Sequence, residues 1–450
     1  MSMYKECDIR GVYQEELKEA DALLIGKAVG TILKGGSLVV AGDARYSTES
    51  LKKTLIEGLL STGAHVVDIG MTPTPLLYFA KKKLALDGGV MVTASHNPAQ
   101  YNGFKISLGD SPIEPKDIAQ IETLANSEEF ISGTGTYEFL DITDSYLSMI
   151  DENILKSGTL KVVVDCGNGA ASILAPVLLE RMGHTVIPLF CECEGHFPNR
   201  NPNPSVEKHL SALKEAVTIH QADVGIAFDG DGDRVIFVDN KGRFCESEAI
   251  FVLLCDYYLE KEAHGKIVYD GKSSSIVNKH ITHRKGIPIP ERSGHAFIKK
   301  RFLMEEAILA GEVSGHFFFK ELGHDDGLFG ALKFLQILVE RGESLSAIMD
   351  KIEKPLITPD IRIYIDEDER EAILSHVEQL GSSYTLSYLD GVRVDYPKGW
   401  VVVRKSVTEP CVTLRLEANS YEDAVDITEH LFKEKYPEVE ELILMSLKKD

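Results

Sequence analysis

The chain has 450 residues, 44% of them hydrophobic, and a formal net charge of −22. That length excludes a single hydrophobic core and implies three or four domains of ordinary size. The negative charge excludes capture of nucleic acid or acidic membrane by a general positive field, so a phosphate-bearing ligand must be held by a few concentrated Arg and Lys side chains or through a metal ion.

At the N-terminus, MSMYKECDIRG has no apolar signal core, and no apolar run approaches the roughly 20 residues that cross a bilayer. A cytoplasmic protein with no membrane or nucleic-acid partner is expected. One pattern then recurs along the chain. An apolar strand closed by Asp occurs as LVVAGD at 38–43, VVVD at 162–165 and IVYD at 267–270, each followed by a helix-like segment. In the first two copies a second strand comes next, HVVD at 65–68 and HTVI at 184–187, each just after a Gly. A third apolar segment then runs into a polar loop: TASHNP after Val92, DGDGDR after Phe228 and GEVSGH after Ala310. The spacing from Asp to loop differs between copies, so they share a topology and not a short-period repeat. Alternation of strand and helix at this scale implies βαβ units with mixed, mostly parallel sheets, each aiming one loop from a carboxyl edge at a common cleft.

The seven cysteines are odd in number and scattered, which excludes a disulfide framework; Cys191 and Cys193 form a lone CxC that reads as a strand end. After Lys354-Pro355 and Thr358-Pro359, a linker signal, the pattern changes. IRIYI at 361–365 alternates, Asp366 to Glu369 opens an acidic helix, segments 384–388, 399–404 and 412–418 alternate like antiparallel strands, and 421–433 suits a helix. The expected architecture is α/β: three consecutive, topologically similar α/β domains at 1–150, 151–255 and 256–356, and a C-terminal α+β domain at 357–450, around a central cleft.

The loops carry the chemistry. The run at 90–92 hands over to Thr93-Ala94-Ser95-His96-Asn97-Pro98, which sets Ser95 on a rigid perch as a candidate nucleophile, although turn preferences alone would make it a turn residue. Asp229, Asp231 and Asp233 alternate with Gly230 and Gly232, so three carboxylates can converge on one cation; without a counter-ion they would repel one another. A calcium EF-hand loop is excluded because Arg234 stands where Gly is required and Asn240 where Glu is required. Mg²⁺ suits few carboxylates plus a phosphate oxygen, which points back to Ser95. Glu312, Ser314 and His316 offer an acceptor, a hydroxyl and an imidazole suited to sugar hydroxyls, though Glu and Ser on a turn are usually just solvated. In VVVRKSVTEP at 401–410, Arg404, Ser406 and Thr408 with free backbone amides read either as a phosphate cradle or as a surface hairpin. The chain has no GxxxxGK[ST], the stretch Gly167-Asn168-Gly169 lacks the third glycine of a dinucleotide fingerprint, and no GxSxG is present.

TASHNP with Tyr101-Asn102-Gly103-Phe104-Lys105, DGDGDR, Asp8-Ile9-Arg10-Gly11, Ser293-Gly294-His295 with Lys299-Lys300, GEVSGH with Asp325-Asp326-Gly327, and the stretch from Asp390 to Trp400 together resemble the α-D-phosphohexomutases, most of all their phosphomannomutase/phosphoglucomutase branch. The resemblance implies that Ser95 carries a phosphoryl group, that Asp229, Asp231 and Asp233 hold Mg²⁺ with phosphorylated Ser95 as a further ligand, and that Arg10, His96, Lys105 and Arg234 serve the transfer. It implies that Lys272, His295, Glu312, Ser314 and His316 face the sugar, and that Arg404, Ser406 and Thr408 grip the phosphate that is not reacting. The implied reaction exchanges hexose 1-phosphate and 6-phosphate of mannose and/or glucose through a hexose 1,6-bisphosphate, which also serves as activator, in a monomer or homodimer. Two positions depart from the branch: Cys7 where Tyr is usual, and Val407 where Asn or Gly is usual. The alternatives are a phosphoglucosamine mutase, whose branch usually has Ser at Thr93 and Gln at Val313, and a non-catalytic sugar-phosphate-binding protein.

Overall fold

A computed structural model describes residues 2–109, 111–406 and 411–447. Three α/β units follow one another, and in each the strand order is second, first, third, then an antiparallel fourth. In the first unit these are His65–Met71, Ser37–Gly42, Gly88–Val92 and Tyr101–Leu108, flanked by Ile9–Val12 and Thr136–Phe139 at the two edges. In the second they are Thr185–Leu189, Lys161–Asp165, Val224–Phe228 and Val235–Asp239, and in the third Ile287–Glu291, Lys266–Asp270, Leu309–Gly311 and Phe317–Phe319. The first three strands of each unit are parallel. Central strands such as Gly88–Val92 and Val224–Phe228 are buried at every residue, which is why they read as unbroken apolar runs.

Each polar loop joins the third strand to the antiparallel fourth, so all three turns leave the same kind of sheet edge. The third unit also has a second strand that the sequence pattern did not reveal, Ile287–Glu291, with prolines at 288 and 290. It lies at the end of its sheet, where a missing N–H on the outer side costs no ladder bond.

The fourth unit is a six-stranded antiparallel sheet with helices Glu367–Gly381, Tyr421–Phe432 and Pro437–Leu447. The linker signal contains a short strand of that sheet, Leu356–Ile357, paired with Cys411–Ala418. The junction expected near 255 falls inside the helix Ser247–Lys261, buried on nearly all sides. One continuous apolar core draws residues from 39 to 352 and so joins the first three units. The fourth keeps a core of its own from Ile363 to Leu447. Among the described residues no helix is long and apolar enough to cross a membrane.

Candidate active site

The serine turn is fixed from behind. Asp43, just past the first strand, accepts from Thr93 Oγ1 at 2.7 Å and from Thr48 Oγ1 at 2.7 Å, and pairs with Arg45 Nε at 3.0 Å. Arg45 donates to four carbonyls of the turn, those of Ser95 and Asn97 at 2.7 Å, Pro98 at 2.8 Å and Tyr101 at 2.9 Å. Both side chains of the pair are completely buried. Held this way, Ser95 takes a left-handed backbone, φ 50°, which a non-glycine residue keeps only when its surroundings over-determine it. Its Oγ donates to Asp229 Oδ2 at 2.7 Å and lies 3.3 Å from His96 Nδ1. Burial, then the nearby Arg234 and Arg10, hold the His96 imidazole well below its ordinary range, so it is neutral.

The aspartate turn is braced by the same device. Asp165 closes the strand Lys161–Asp165 and receives Arg200 Nε at 2.8 and 2.9 Å, while Arg200 donates to Phe228 O at 2.6 Å, one residue before Asp229. Gly230 touches the serine turn: a Cβ there would lie 2.4 Å from Ser95 O, so no other residue lets the two turns meet. Asp229 Oδ1 accepts from the amides of Gly232 and Arg234 at 3.0 and 3.2 Å. Asp231 Oδ2 accepts from Thr74 Oγ1 at 2.6 Å and Lys105 Nζ at 2.7 Å, and Lys105 also pairs with Asp233. All three aspartates are fully buried. Burial, Asp231 and Asp233 push the Asp229 carboxyl up to about 7.

These carboxylates fit a hard divalent cation. One oxygen from each lies within 4.8 Å of the others, and Asp231 Oδ1 and Asp233 Oδ1 are buried without a hydrogen-bond partner among the described residues. A buried, unpaired carboxylate oxygen is costly unless a ligand completes it, and an all-oxygen set is the chemistry that Mg²⁺ prefers.

The third turn meets the second directly. Arg234 Nε donates to His316 Nε2 at 3.0 Å, which leaves the His316 proton on Nδ1, facing Asp325 Oδ2 at 2.9 Å. The other oxygen of Asp325 lies 2.8 Å from His295 Nε2, so one buried carboxylate orients both imidazoles. Ser314 Oγ donates to Glu312 Oε2 at 3.0 Å, while Glu312 Oε1 is buried without a partner among the described residues. Asp270, which closes the first strand of this unit, has no arginine brace among the described residues. It accepts from Ser293 Oγ at 2.7 Å and faces the cleft, and burial pushes its carboxyl up to about 6. From the fourth unit, Arg404 approaches Asp390 at 3.6 Å and keeps its Nε buried without a partner among the described residues. Lys272 pairs across the same junction with Asp360.

A cleft of about 700 Å³ joins these turns. Its walls include Arg10, Ser95, His96 and Lys105 from the first unit and Arg234 from the second, with the aspartates beneath its floor. The third unit adds Lys272, His295, Glu312, Ser314 and His316, and the fourth adds Arg404 and Ser406. Thr408 and Val407 lie outside the described residues. Among the described residues eight Lys or Arg side chains line the cleft against five Asp or Glu, and the three aspartates beneath the floor balance that excess, so a protein of charge −22 gathers cations here around a buried anionic cluster. Sequence reasoning missed Tyr78 and Arg362 on the wall and Arg45 and Arg200 behind it, and it gave no role to Asp270, Lys299 and Asp325, although it named them within its motifs. Lys299 Nζ sits 3.6 Å from the Tyr78 ring centroid, and burial brings its amine down to about 8. Cys7 also lines the cleft, with its thiol pushed up to about 12 by burial.

The phosphoglucomutase/phosphomannomutase signatures match in order: alpha/beta/alpha domain I over residues 1–132, domain II over 144–242, domain III over 246–355 and the C-terminal domain over 359–434. The chain belongs to the phosphoglucomutase/phosphomannomutase family. A phosphomannomutase/phosphoglucomutase of Pseudomonas aeruginosa is 39% identical over 430 residues, which cover 94% of this chain and 93% of that one. A phosphoglucomutase of Neisseria gonorrhoeae is 32% identical over 96% of each chain. The crystal structure of a family protein from Burkholderia thailandensis superposes with a TM-score of 0.89 at 32% identity, covering 96% of this chain and 98% of that one.

Proposed function

We propose that this chain is a phosphohexomutase that interconverts hexose 1-phosphate and hexose 6-phosphate, of mannose and/or glucose, through phosphorylated Ser95 and a hexose 1,6-bisphosphate. The observation that carries the reading is the meeting of Ser95 with the aspartate turn: a buried hydroxyl 2.7 Å from Asp229, at the floor of a cleft whose wall holds Arg10, Lys105 and Arg234. Asp229, Asp231 and Asp233, with phosphorylated Ser95, would hold Mg²⁺, which when bound offsets charge developing on the transferred group.

The chain's own groups do the rest. When the P–O bond to Ser95 breaks and a bond to the sugar hydroxyl forms, the hydroxyl proton needs an acceptor, and neutral His96 beside Ser95 supplies one. Arg10 is held at the turn by Asn97 Oδ1 at 2.6 Å, and with Lys105 and Arg234 it surrounds the transferring oxygens with positive charge. Glu312 Oε1 awaits a sugar hydroxyl, and His295 and His316 are pre-oriented by Asp325. Lys272 and Ser314 complete the sugar contacts, while Arg404 and Ser406, with Thr408, take the distal phosphate. Because the bisphosphate must present either end to Ser95, these contacts read features shared by both orientations. Hexoses that differ only at C2 then react alike.

Steady-state assays on glucose 1-phosphate, mannose 1-phosphate and glucosamine 1-phosphate test this. Turnover of the first two, abolished in a folded Ser95→Ala variant, is expected. Preference for the amino sugar would favour a glucosamine mutase, and no turnover of any would favour a sugar-phosphate-binding protein.

A further inference from the structure

Two thiols outside the cleft touch each other. Cys166 Sγ and Cys191 Sγ are 3.2 Å apart, the first fully buried and the second half-buried. Their strands pair in parallel with Asp165 opposite Leu189, so the cysteines follow one and two residues past the same sheet edge.

What stands on this pair is unusual. Cys166 follows Asp165, the partner of Arg200 beneath the aspartate turn. Its carbonyl accepts from Gly169 N at 2.9 Å, and the next amide, Ala170 N, donates to Gly230 O at 3.0 Å. Cys191 opens the segment 191–197. There the His196 ring stacks on Tyr46 at 4.8 Å, and the Phe197 ring lies 5.0 Å from the Arg45 guanidinium that holds the serine turn. The two sulfurs therefore join the footing of one chemical turn to the footing of the other.

We propose that Cys166 and Cys191 are a peroxide-responsive dithiol, whose disulfide shifts Ser95 relative to Asp229 and reversibly lowers turnover. The half-buried Cys191 thiolate attacks one peroxide oxygen; the O–O bond breaks, and with a proton taken up sulfenic acid and water result. Cys166 sulfur then attacks Cys191 sulfur, the S–O bond breaks and a second water leaves. Two thiols and one peroxide thus become one disulfide and two waters, with two electrons passing from sulfur to oxygen, and a dithiol reductant reverses the bond by exchange. The contact with Cys166 holds the Cys191 thiol below its usual range, which suits it for the first attack. Bond formation draws the sulfurs from 3.2 Å to about 2.05 Å. Cys166 is locked at a buried strand end, so the movement falls on the 190–197 segment and reaches Arg45 through Phe197.

The full-length protein is treated with hydrogen peroxide, its peptides are mapped by mass, and hexose 1-phosphate turnover is followed before and after dithiothreitol. The expected result is a linked peptide pair containing Cys166 and Cys191, with kcat lower by roughly tenfold, within the cost of about 10²-fold that a 1 Å misplacement can carry. Dithiothreitol should restore it. Cys191→Ser should give no linked pair and keep its rate in peroxide, and Cys193→Ser should behave like the parent; should Cys191→Ser lower basal turnover, Cys191→Ala makes the same comparison. Absence of the linked pair would overturn the proposal, as would a linked pair with unchanged kcat or equal inhibition of the Cys191 variants. Peptide mapping does not depend on which hexose is the substrate, so the linkage stands or falls apart from the catalytic reading.

Discussion

The first and second units brace their turns from below, whereas the third leaves the corresponding position open to the cleft. Asp43 with Arg45 and Asp165 with Arg200 occupy equivalent places, one residue past or at the end of the first strand, and each arginine reaches carbonyls of the turn that carries Ser95 or precedes Asp229. Asp270 occupies that place in the third unit, pairs with no arginine among the described residues and lines the cleft. The difference follows the work assigned to each turn. Phosphoryl transfer is intolerant of misalignment, so its two turns are clamped; a wall along which a sugar must turn over needs polar groups facing inward.

The sharpest way to break this comparison is to remove the clamps. Arg45→Met and Arg200→Met each leave a buried carboxylate unpaired, so each should lose about 3–5 kcal/mol of stability in urea unfolding, and kcat should fall by up to about 10²-fold. Adding Asp43→Asn to Arg45→Met should recover stability without recovering kcat. A single variant with parental kcat would show that the clamp is structural only.

A smaller effect is expected at the open position. Asp270→Asn keeps the oxygen that accepts from Ser293 Oγ and Lys272 N but removes a negative charge from a wall that meets phosphate. KM for the hexose phosphate should fall roughly two- to fivefold at pH 8, the scale of one unit charge acting across a solvated cleft. Near pH 5 the change should vanish, because the parental carboxyl, raised to about 6, is already mostly neutral. A KM difference independent of pH would detach the effect from this carboxyl.

The smallest effect concerns Asp326, which caps the helix Gly327–Arg341 by accepting from Phe329 N and receives the Tyr146 hydroxyl at 2.8 Å. Burial raises its carboxyl to about 7. A raised acid contributes stability that is complete below its unfolded value of about 3.9 and is lost as pH rises through about 7. Asp326→Asn keeps the cap and should flatten the fall in unfolding free energy between about pH 4 and 7. A slope equal to the parent's would assign that fall to other groups.

Much of this was legible in sequence, for reasons tied to particular residues. Strands buried on both faces leave apolar runs, and the aspartates closing them marked three copies of one topology. Glycine-flanked carboxylates and the TASHNP turn exposed the two chemical loops. Ile287–Glu291 was hidden because its two prolines speak against a strand until its edge position is known. Arg45 left a weak signal, two residues after Asp43. Arg200 left none: it is 35 residues from Asp165, inside the proline- and asparagine-rich HFPNRNPNP, and only the fold brings the pair together.

The shared core has a consequence for how the protein is made. Val39, Val67, Leu76 and Met91 belong to an apolar cluster completed only by residues as distant as Ile352. A ribosome adding about 5–20 residues per second needs roughly 10–40 s to pass from the helix Thr143–Asn153 to that point. During that interval one face of the first sheet has only its own helices, among them Thr74–Lys83, as cover, while the other face is packed by residues 9–121 and later receives Ala296 of the third unit. The nascent chain is therefore a client for holdase chaperones over the middle of its synthesis, and truncation anywhere between the first and third units leaves a sticky half-domain instead of a stable fragment.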